Sequence, residues 1–174
     1  MKIPLESVKE LRNLTFASIA DCKKALEESG GDIAKAKNIL HKRGLELVSK
    51  KQDRVAKEGR VEAYVHTGNK IGVLLEVDCE TDFVARNGDF AQFARDVAMQ
   101  IAALNPAYVR REDVPAEVAE QEKDKERFYK EQCLLEQAFI KDPSITVKDY
   151  LGNLLSKFNE NIVIRRFTRY KIGQ

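Results

Sequence analysis

The chain has 174 residues, of which 43% are hydrophobic and 33% are charged. This size and composition fit a globular protein with either one domain or a small domain and a medium one. Thirty basic and 28 acidic residues leave a formal charge of +2, so no global electrostatic attraction to nucleic acid or to an anionic membrane is indicated.

Three isolated cysteines, Cys22, Cys79 and Cys133, show no CxxC pairing. This usage is typical of a reducing cytosol rather than of a secreted disulfide scaffold. No apolar run approaches the roughly 18 residues that a membrane helix needs, and the first residues contain no apolar leader segment. We therefore predict a cytoplasmic protein.

Residues 1–45 are predicted to form three short helices. Pro4 suits a first helical turn, and the first helix carries an apolar series at three-residue spacing: Leu5, Val8, Leu11 and Leu14. Ser18 and Asp21 form a capping box at the start of the second helix, whose apolar side comprises Ile19, Cys22, Ala25 and Leu26. Asp32 can cap the third helix, which we expect to end before Gly44.

Residues 46–59 are rich in charge and are interpreted as a helical or irregular linker. Residues 60–174 then begin with a predicted β-hairpin that has one buried face. Its first strand alternates Val61, Ala63 and Val65 with polar residues, and its second strand places apolar residues at Ile71, Val73, Leu75, Val77 and Cys79.

Helices and one closing strand are predicted after the hairpin. Asn87 should cap a helix with a continuous apolar stripe that includes Phe90 and Phe93, and a long polar helix should follow Asp113. Thr146 and Asp149 form a second capping box. The segment "ENIVIRRFTRYKIG" is predicted to form a strand, with one face made of Ile162, Ile164, Tyr170 and Ile172 and the other of Arg165, Phe167 and Arg169. The fold class is therefore α+β, with three helices followed by an antiparallel sheet that helices cover.

Signals for enzyme chemistry are weak. His41 and His66 have no clear orienting partner, and no phosphate-binding loop or metal-ligand spacing occurs. Asp78, Glu80 and Asp82 could bind magnesium from one face of an extended strand, or could form a solvated face. The basic and aromatic residues of "RRFTRYK" suit either RNA stacking or a charged edge strand that discourages pairing.

The stretch "DCETDFVARNGDF", residues 78–90, places Asp82 and Phe83 where a strand should end. One interpretation is that Phe83 folds back onto Phe90 and Phe93, and the residues alone favour it because aromatic side chains usually pack inside. The other is an exposed wedge on a rigid loop, which is a common form of protein-binding anchor.

Three blocks of the sequence resemble the translation elongation factor Ts family. They are "DCKKAL" with "GDIAKA" near the start, "LEVDCETDFVARNGDFAQFA" from residue 75 to 94, and "LLEQAFIKDPSITV" from residue 134 to 147. The blocks occur in the family's order and span most of the chain. The resemblance implies an N-terminal domain like ubiquitin-associated domains and a core of antiparallel sheet covered by helices.

The function that the resemblance implies is nucleotide exchange on elongation factor Tu, by a protein that is not an enzyme and has no cofactor or metal. Asp82 and Phe83 would enter the partner near its magnesium and nucleotide site, and Thr81 and Val84 would hold that loop. Ile19, Ala20 and Lys23 would form a second contact with the partner. The alternative is an RNA-binding or ribosome-associated module that uses the basic closing strand.

The chain departs from the family's usual pattern at Phe16-Ala17-Ser18, where the family often has a glycine-rich turn, and at Ala138, where a proline is common. With one hairpin and one closing strand it resembles the short form of the family, which implies a homodimer and a 2:2 complex without direct nucleic-acid contact. If the resemblance holds, Phe83 should be exposed and Asp82 should not be committed to a strong internal salt bridge.

Overall fold

The computed structural model describes residues 3–15, 17–51 and 54–174, so Phe16 of the departing turn lies outside the described residues. The chain divides into two compact units. The first comprises Met1–Val55 and Leu151–Asn161, and the second comprises Ala56–Tyr150 and Ile162–Gln174. The sequence-based boundaries at residues 1–45, 46–59 and 60–174 stay predictions.

Three helices form most of the first unit: α1 (Leu5–Thr15), α2 (Ile19–Glu28) and α3 (Ile33–Lys51). The predicted caps of α2 and α3 are confirmed, because Ser18 Oγ accepts from the backbone N–H of Asp21 and Asp32 Oδ1 accepts from that of Lys35. The helices enclose a core made of Val8, Leu11, Ala17, Cys22, Ala25, Leu26, Ala36 and Leu40.

Three of the residues predicted to be on apolar faces are instead exposed: Leu5, Leu14 and Ile19. A three-residue step falls short of a full helical turn by about 60°, so a strict three-residue series drifts around the helix. Val8 and Leu11 lie in the middle of that series and are buried, whereas its two ends point to solvent.

The prediction that α3 ends before Gly44 is wrong, since the helix continues to Lys51 and occupies the first part of the segment interpreted as a linker. A methyl group placed on Gly44 would lie 3.5 Å from the carbonyl oxygen of Gly152. This is an ordinary van der Waals distance, so Gly44 lies inside α3 next to the backbone of Gly152 without ending the helix. A glycine within a helical pattern is tolerated and is not by itself a stop signal.

The second unit contains the predicted three-stranded antiparallel sheet. Its strands are β1 (Glu58–Val65), β2 (Ile71–Cys79) and β5 (Ile162–Lys171), in the order β1-β2-β5. Between β1 and β2 the chain turns through Gly68 and Asn69, which both have positive φ as tight hairpin turns require. Helix α4 (Asp82–Ala85) and helix α5 (Gly88–Leu104) follow β2.

The covered face of the sheet carries buried side chains of β2 and β5: Val73, Leu75, Val77, Cys79, Ile162 and Ile164. The opposite face, here called the open face, carries the exposed side chains of Val61, Ala63, Val65, Leu74 and Tyr170. The prediction that Val61, Ala63 and Val65 are buried is therefore wrong. In the pairing register Glu62 is opposite Leu75, so the buried positions of β1 are its polar ones.

The predicted alternation of β5 is wrong beyond Arg165, because the strand contains a β-bulge. The register shifts between Glu76 and Val77, which pair with Arg166 and Ile164 and leave Arg165 as the extra residue. One extra residue reverses the side of every later residue. Tyr170 consequently lies on the opposite face from Ile162 and Ile164, although the sequence assigns all three to one face.

Helix α5 agrees closely with the prediction. Asn87 Oδ1 accepts from the backbone N–H of Asp89 as an N-cap, and Asn105 adopts the left-handed conformation that ends the helix. The predicted stripe is fully buried at Phe90, Phe93, Ala94, Val97 and Ile101, while Leu104 is exposed.

The single long polar helix predicted after Asp113 is wrong. The structure instead has α6 (Ala116–Gln121) and α7 (Lys125–Gln132), with Asp124 capping the second, and short 3-10 helices at Arg111–Asp113 and Leu134–Glu136. An unpredicted two-stranded sheet of β3 (Ala138–Phe139) and β4 (Asp142–Thr146) leads into α8 (Val147–Phe158). The predicted capping box at Thr146 and Asp149 is confirmed by two reciprocal hydrogen bonds.

Candidate functional site

The loop Thr81–Val84 follows β2, which ends at Cys79. The buried Cys79 thiol donates to the carbonyl oxygen of Thr81 across 3.1 Å. Thr81 is the N-cap of α4, and its hydroxyl accepts from the backbone N–H of Val84 across 3.4 Å. These contacts tie the start of the helix to the end of the strand.

Phe83 and Val84 are neighbours on α4 but differ sharply in exposure. Val84 is buried with 2% of its surface exposed, whereas Phe83 is 77% exposed. The interpretation in which Phe83 folds back onto Phe90 and Phe93 is therefore wrong, and the prediction of an exposed Phe83 is confirmed. An aromatic ring held outward by a buried neighbour and a capped turn can enter an apolar pocket of another protein without rearrangement of this backbone.

Asp82 directly precedes Phe83 in the chain and is also exposed. Its carboxylate oxygen Oδ2 lies 3.0 Å from Nη2 of Arg86, one helical turn later, and both side chains are largely in solvent. An exposed pair of this kind is worth only about 0.3–0.5 kcal/mol. The expectation that Asp82 makes no strong internal salt bridge agrees with this geometry.

The residues assigned to a second contact lie in the first unit, at the start of α2. Ile19, Ala20 and Lys23 are all exposed. Lys23 Nζ lies 3.9 Å from Glu27 Oε1, a long distance for an ion pair in solvent. The start of α2 thus presents one large apolar side chain, with a cation one turn later.

The acidic series Asp78, Glu80 and Asp82 does not continue along one strand face. The strand ends at Cys79 and Asp82 begins α4, while Asp78 Oδ2 accepts from Nε of Arg165 across 2.6 Å. Among the residues that the structure describes, no three acidic, histidine or cysteine side chains converge as a metal site would require. The geometry gives no support to a magnesium site at these three residues.

Three arginines of β5 form hydrogen bonds to other groups of the second unit. Arg166 Nε donates to Glu76 Oε2 across 2.6 Å, and Arg169 donates to the carbonyl oxygen of Ala102 near the end of α5. A cation at a helix carboxyl end is favourable. Together with the Asp78 pair of Arg165, these bonds occupy the guanidinium groups that an RNA-binding strand would offer to phosphates.

Two buried polar networks were missed in the sequence. Glu62 is buried on the covered face, with Arg60 Nη2 at 2.8 Å and Arg95 Nε at 3.5 Å. Asp96 accepts from Lys141 Nζ at 2.6 Å and from the hydroxyl of Tyr150 at 3.2 Å. Burial and the neighbouring Asp96 carboxylate raise the pKa of the Tyr150 phenol.

The second network continues one turn further along α5. Gln100 Nε2 donates to the carbonyl oxygen of Ala138, and its Oε1 accepts from the backbone N–H of Ile140. Asp96 and Gln100 follow Phe93 at helical spacing, so polar residues at apolar-stripe positions were the signal available in the sequence. They fix the β3–β4 hairpin to α5.

The sequence matches a known family over almost its entire length. The model of the family described as elongation factor TS matches residues 5–127 and 124–174. Elongation factor Ts of Carboxydothermus hydrogenoformans is 51% identical over 195 positions, covering 99% of this chain and 90% of that protein. The protein of the same name from Caldanaerobacter subterraneus subsp. tengcongensis is 49% identical, covering 99% and 98%.

These matches make the chain a translation elongation factor with an α+β fold. It belongs to the elongation factor Ts family. In the part of the chain that the structure covers, no helix is both long enough and apolar enough to cross a membrane.

The matches also show that this chain is shorter than a relative. The alignment with the Carboxydothermus protein extends over 195 positions, 21 more than the 174 residues of this chain, so at least 21 positions have no counterpart here. The two matched stretches of the family model meet at residues 124–127, where α7 begins.

Proposed function

We propose that the protein is the guanine nucleotide exchange factor of elongation factor Tu and that it promotes GDP release by inserting the loop Thr81–Val84 near the partner's magnesium and nucleotide site. Membership of the elongation factor Ts family supports this proposal. The single structural observation that carries it is the exposure of Phe83 on a capped and anchored helical turn.

The energetics follow from linkage. A protein that binds the nucleotide-free partner more tightly than the GDP-bound partner lowers the affinity for GDP by the same factor. Burying a phenylalanine ring is worth roughly 1.5–3 kcal/mol. Because Val84 and Thr81 already hold α4 in place, little of this free energy is lost in ordering the loop.

Asp82 acts on the magnesium ion that helps the partner to retain its nucleotide. A bound magnesium ion is the largest local charge at a nucleotide phosphate site. A carboxylate brought close to that site competes with the phosphates for the metal. Loss of the metal would in turn weaken the hold on GDP, and no chemical bond is made or broken.

Further contacts complete the proposal. Ile19, Ala20 and Lys23 form a second contact with elongation factor Tu, and the protein acts in the cytoplasm as a homodimer in a 2:2 complex, with no cofactor of its own and no direct contact with nucleic acid. The exposed apolar side chains of the open face support self-association, because such patches are uncommon on monomers.

Release of a fluorescent GDP analogue from elongation factor Tu tests the proposal. Phe83→Ala is expected to lower the stimulated release rate by about tenfold to a hundredfold, while its unfolding free energy stays within about 0.5 kcal/mol of the natural value. Leu104→Ala, which shortens an exposed apolar side chain on α5, is the matched control and should stimulate release fully. Full stimulation by Phe83→Ala would remove the wedge from the mechanism.

The second contact predicts a different kinetic change. Ile19→Ala removes exposed apolar surface that should become buried on binding, so the concentration needed for half-maximal stimulation should rise by about three- to tenfold. The rate at saturation should stay unchanged, because the loop is intact. Leu5→Ala, an exposed residue of α1, is the control, and an equal response of the two variants would contradict a specific role of Ile19.

A further inference from the structure

The ion pair on α4 joins the residue that precedes Phe83 to the residue that ends the helix. Arg86 is the C-cap, and its backbone N–H bonds to the carbonyl oxygens of Asp82 and Val84. Its guanidinium reaches back over one turn to place Nη2 3.0 Å from Asp82 Oδ2. The main chain thus fixes the origin of both side chains on one short element.

This pair contributes little to the stability of the free protein. Both side chains are largely exposed, and water screens such pairs so strongly that many add nothing measurable to folding. A role in holding the fold therefore does not account for it.

The environment of the pair changes if the loop enters a partner. In the proposed insertion of the loop Thr81–Val84, Asp82 enters the partner together with Phe83 and loses water, and a carboxylate that loses water without a partner is strongly disfavoured. The guanidinium of Arg86 is already at hydrogen-bonding distance. It can stay with the carboxylate as the loop becomes desolvated, where the same pair is worth far more than in water.

We propose that Arg86 is a positioning residue for Asp82: it aims the carboxylate beside Phe83 and carries the counter-charge that allows Asp82 to enter the partner's surface. This inference rests on the proposed exchange function and extends it to a residue outside the loop Thr81–Val84. Arg86 acts through Asp82 and not on the nucleotide itself.

The test is a double-mutant cycle measured by release of the fluorescent GDP analogue from elongation factor Tu. Arg86→Gln is expected to lower the stimulated release rate about tenfold. In an Asp82→Asn background the same substitution should change the rate less than about twofold, because no charge remains to be compensated. Arg86→Lys should restore most of the rate, since an ammonium can also pair with the carboxylate.

Lys70→Gln is the matched control, because it removes one exposed positive charge from the hairpin turn of the same unit. It should leave the rate unchanged, and urea denaturation should show that all variants fold. The inference would be overturned if Arg86→Gln stimulated GDP release as fast as the natural protein. It would also be overturned if the substitution lowered the release rate equally in the natural and the Asp82→Asn backgrounds.

Failure of the exchange function has a separate signature. If the natural chain does not accelerate GDP release, or if Phe83→Ala accelerates it fully, the proposed function fails and the inference about Arg86 falls with it. If the natural chain stimulates release and Phe83→Ala does not, an unaffected Arg86→Gln variant overturns the inference alone.

Discussion

Both faces of the three-stranded sheet carry apolar side chains, yet only one of them is covered. The covered face contains Leu75 and Val77 at full burial, whereas the open face leaves Val61 67% exposed. Strand β1 even reverses the usual arrangement, since its valines face solvent and its Glu62 is buried between Arg60 and Arg95. Apolar alternation therefore shows that a strand has two sides, but it does not show which side is covered.

Two adjacent leucines of β2 give the sharpest test of this difference. Leu75→Ala should lower the unfolding free energy by about 2–5 kcal/mol, because it leaves a cavity on the covered face. Leu74→Ala removes the same atoms from a side chain that is 51% exposed, and should cost less than about 0.5 kcal/mol in the monomer. Urea denaturation at low protein concentration measures both, and equal losses would contradict the assignment of the faces.

Two glycines of the open face should differ in whether they tolerate an added methyl group. Gly59 and Gly72 both occupy open-face positions, because Gly59 is two residues from Val61 in β1 and Gly72 pairs with Val65. A methyl group on Gly59 would overlap the carbonyl oxygen of Val77, and the φ of 152° at Gly59 is one that other residues rarely adopt. Gly59→Ala should therefore destabilise the protein by about 1–3 kcal/mol.

Gly72→Ala is the control for that substitution, because nothing lies within 4 Å of the added methyl group. Its unfolding free energy should stay within about 0.5 kcal/mol of the natural value. A tolerated Gly59→Ala would mean that β1 can move away from β2 beside the loop that carries Phe83.

The same contrast explains what the sequence could and could not predict. Capping residues at helix starts were reliable signals, as at the Asn87 cap of α5 and the Thr146–Asp149 capping box. The bulge at Arg165 and the burial of Glu62 depend on the neighbouring strand and on α5, which are distant in sequence. The residue pattern within β1 or β5 alone therefore cannot predict the bulge or the burial of Glu62.

The candidate site shows the same limit at a smaller scale. Helix α4 has four residues, too few for an apolar stripe to be read, and successive side chains are about 100° apart. Whether Phe83 or Val84 turns inward was therefore undecidable from the pattern, and general burial tendencies favoured the wrong one. Only the family resemblance of the surrounding block predicted an exposed Phe83.

The smallest predicted effect concerns self-association through the open face. If two copies bury this face against each other, Leu74→Ala should raise the dimer dissociation constant about tenfold, or roughly 1.4 kcal/mol, as for a moderately important interface residue. Sedimentation equilibrium over a range of concentrations measures this change directly. Leu104→Ala removes similar apolar surface from the end of α5 and should leave the constant unchanged.

The outcome also decides how the two faces differ. A natural chain that remains monomeric at micromolar concentration would mean that the open face tolerates water, and the proposed homodimer would be wrong. Equal weakening by Leu74→Ala and Leu104→Ala would place the interface elsewhere. A response to Leu74→Ala alone would mean that both faces are buried in solution, one by helix α5 of the same chain and the other by a second copy.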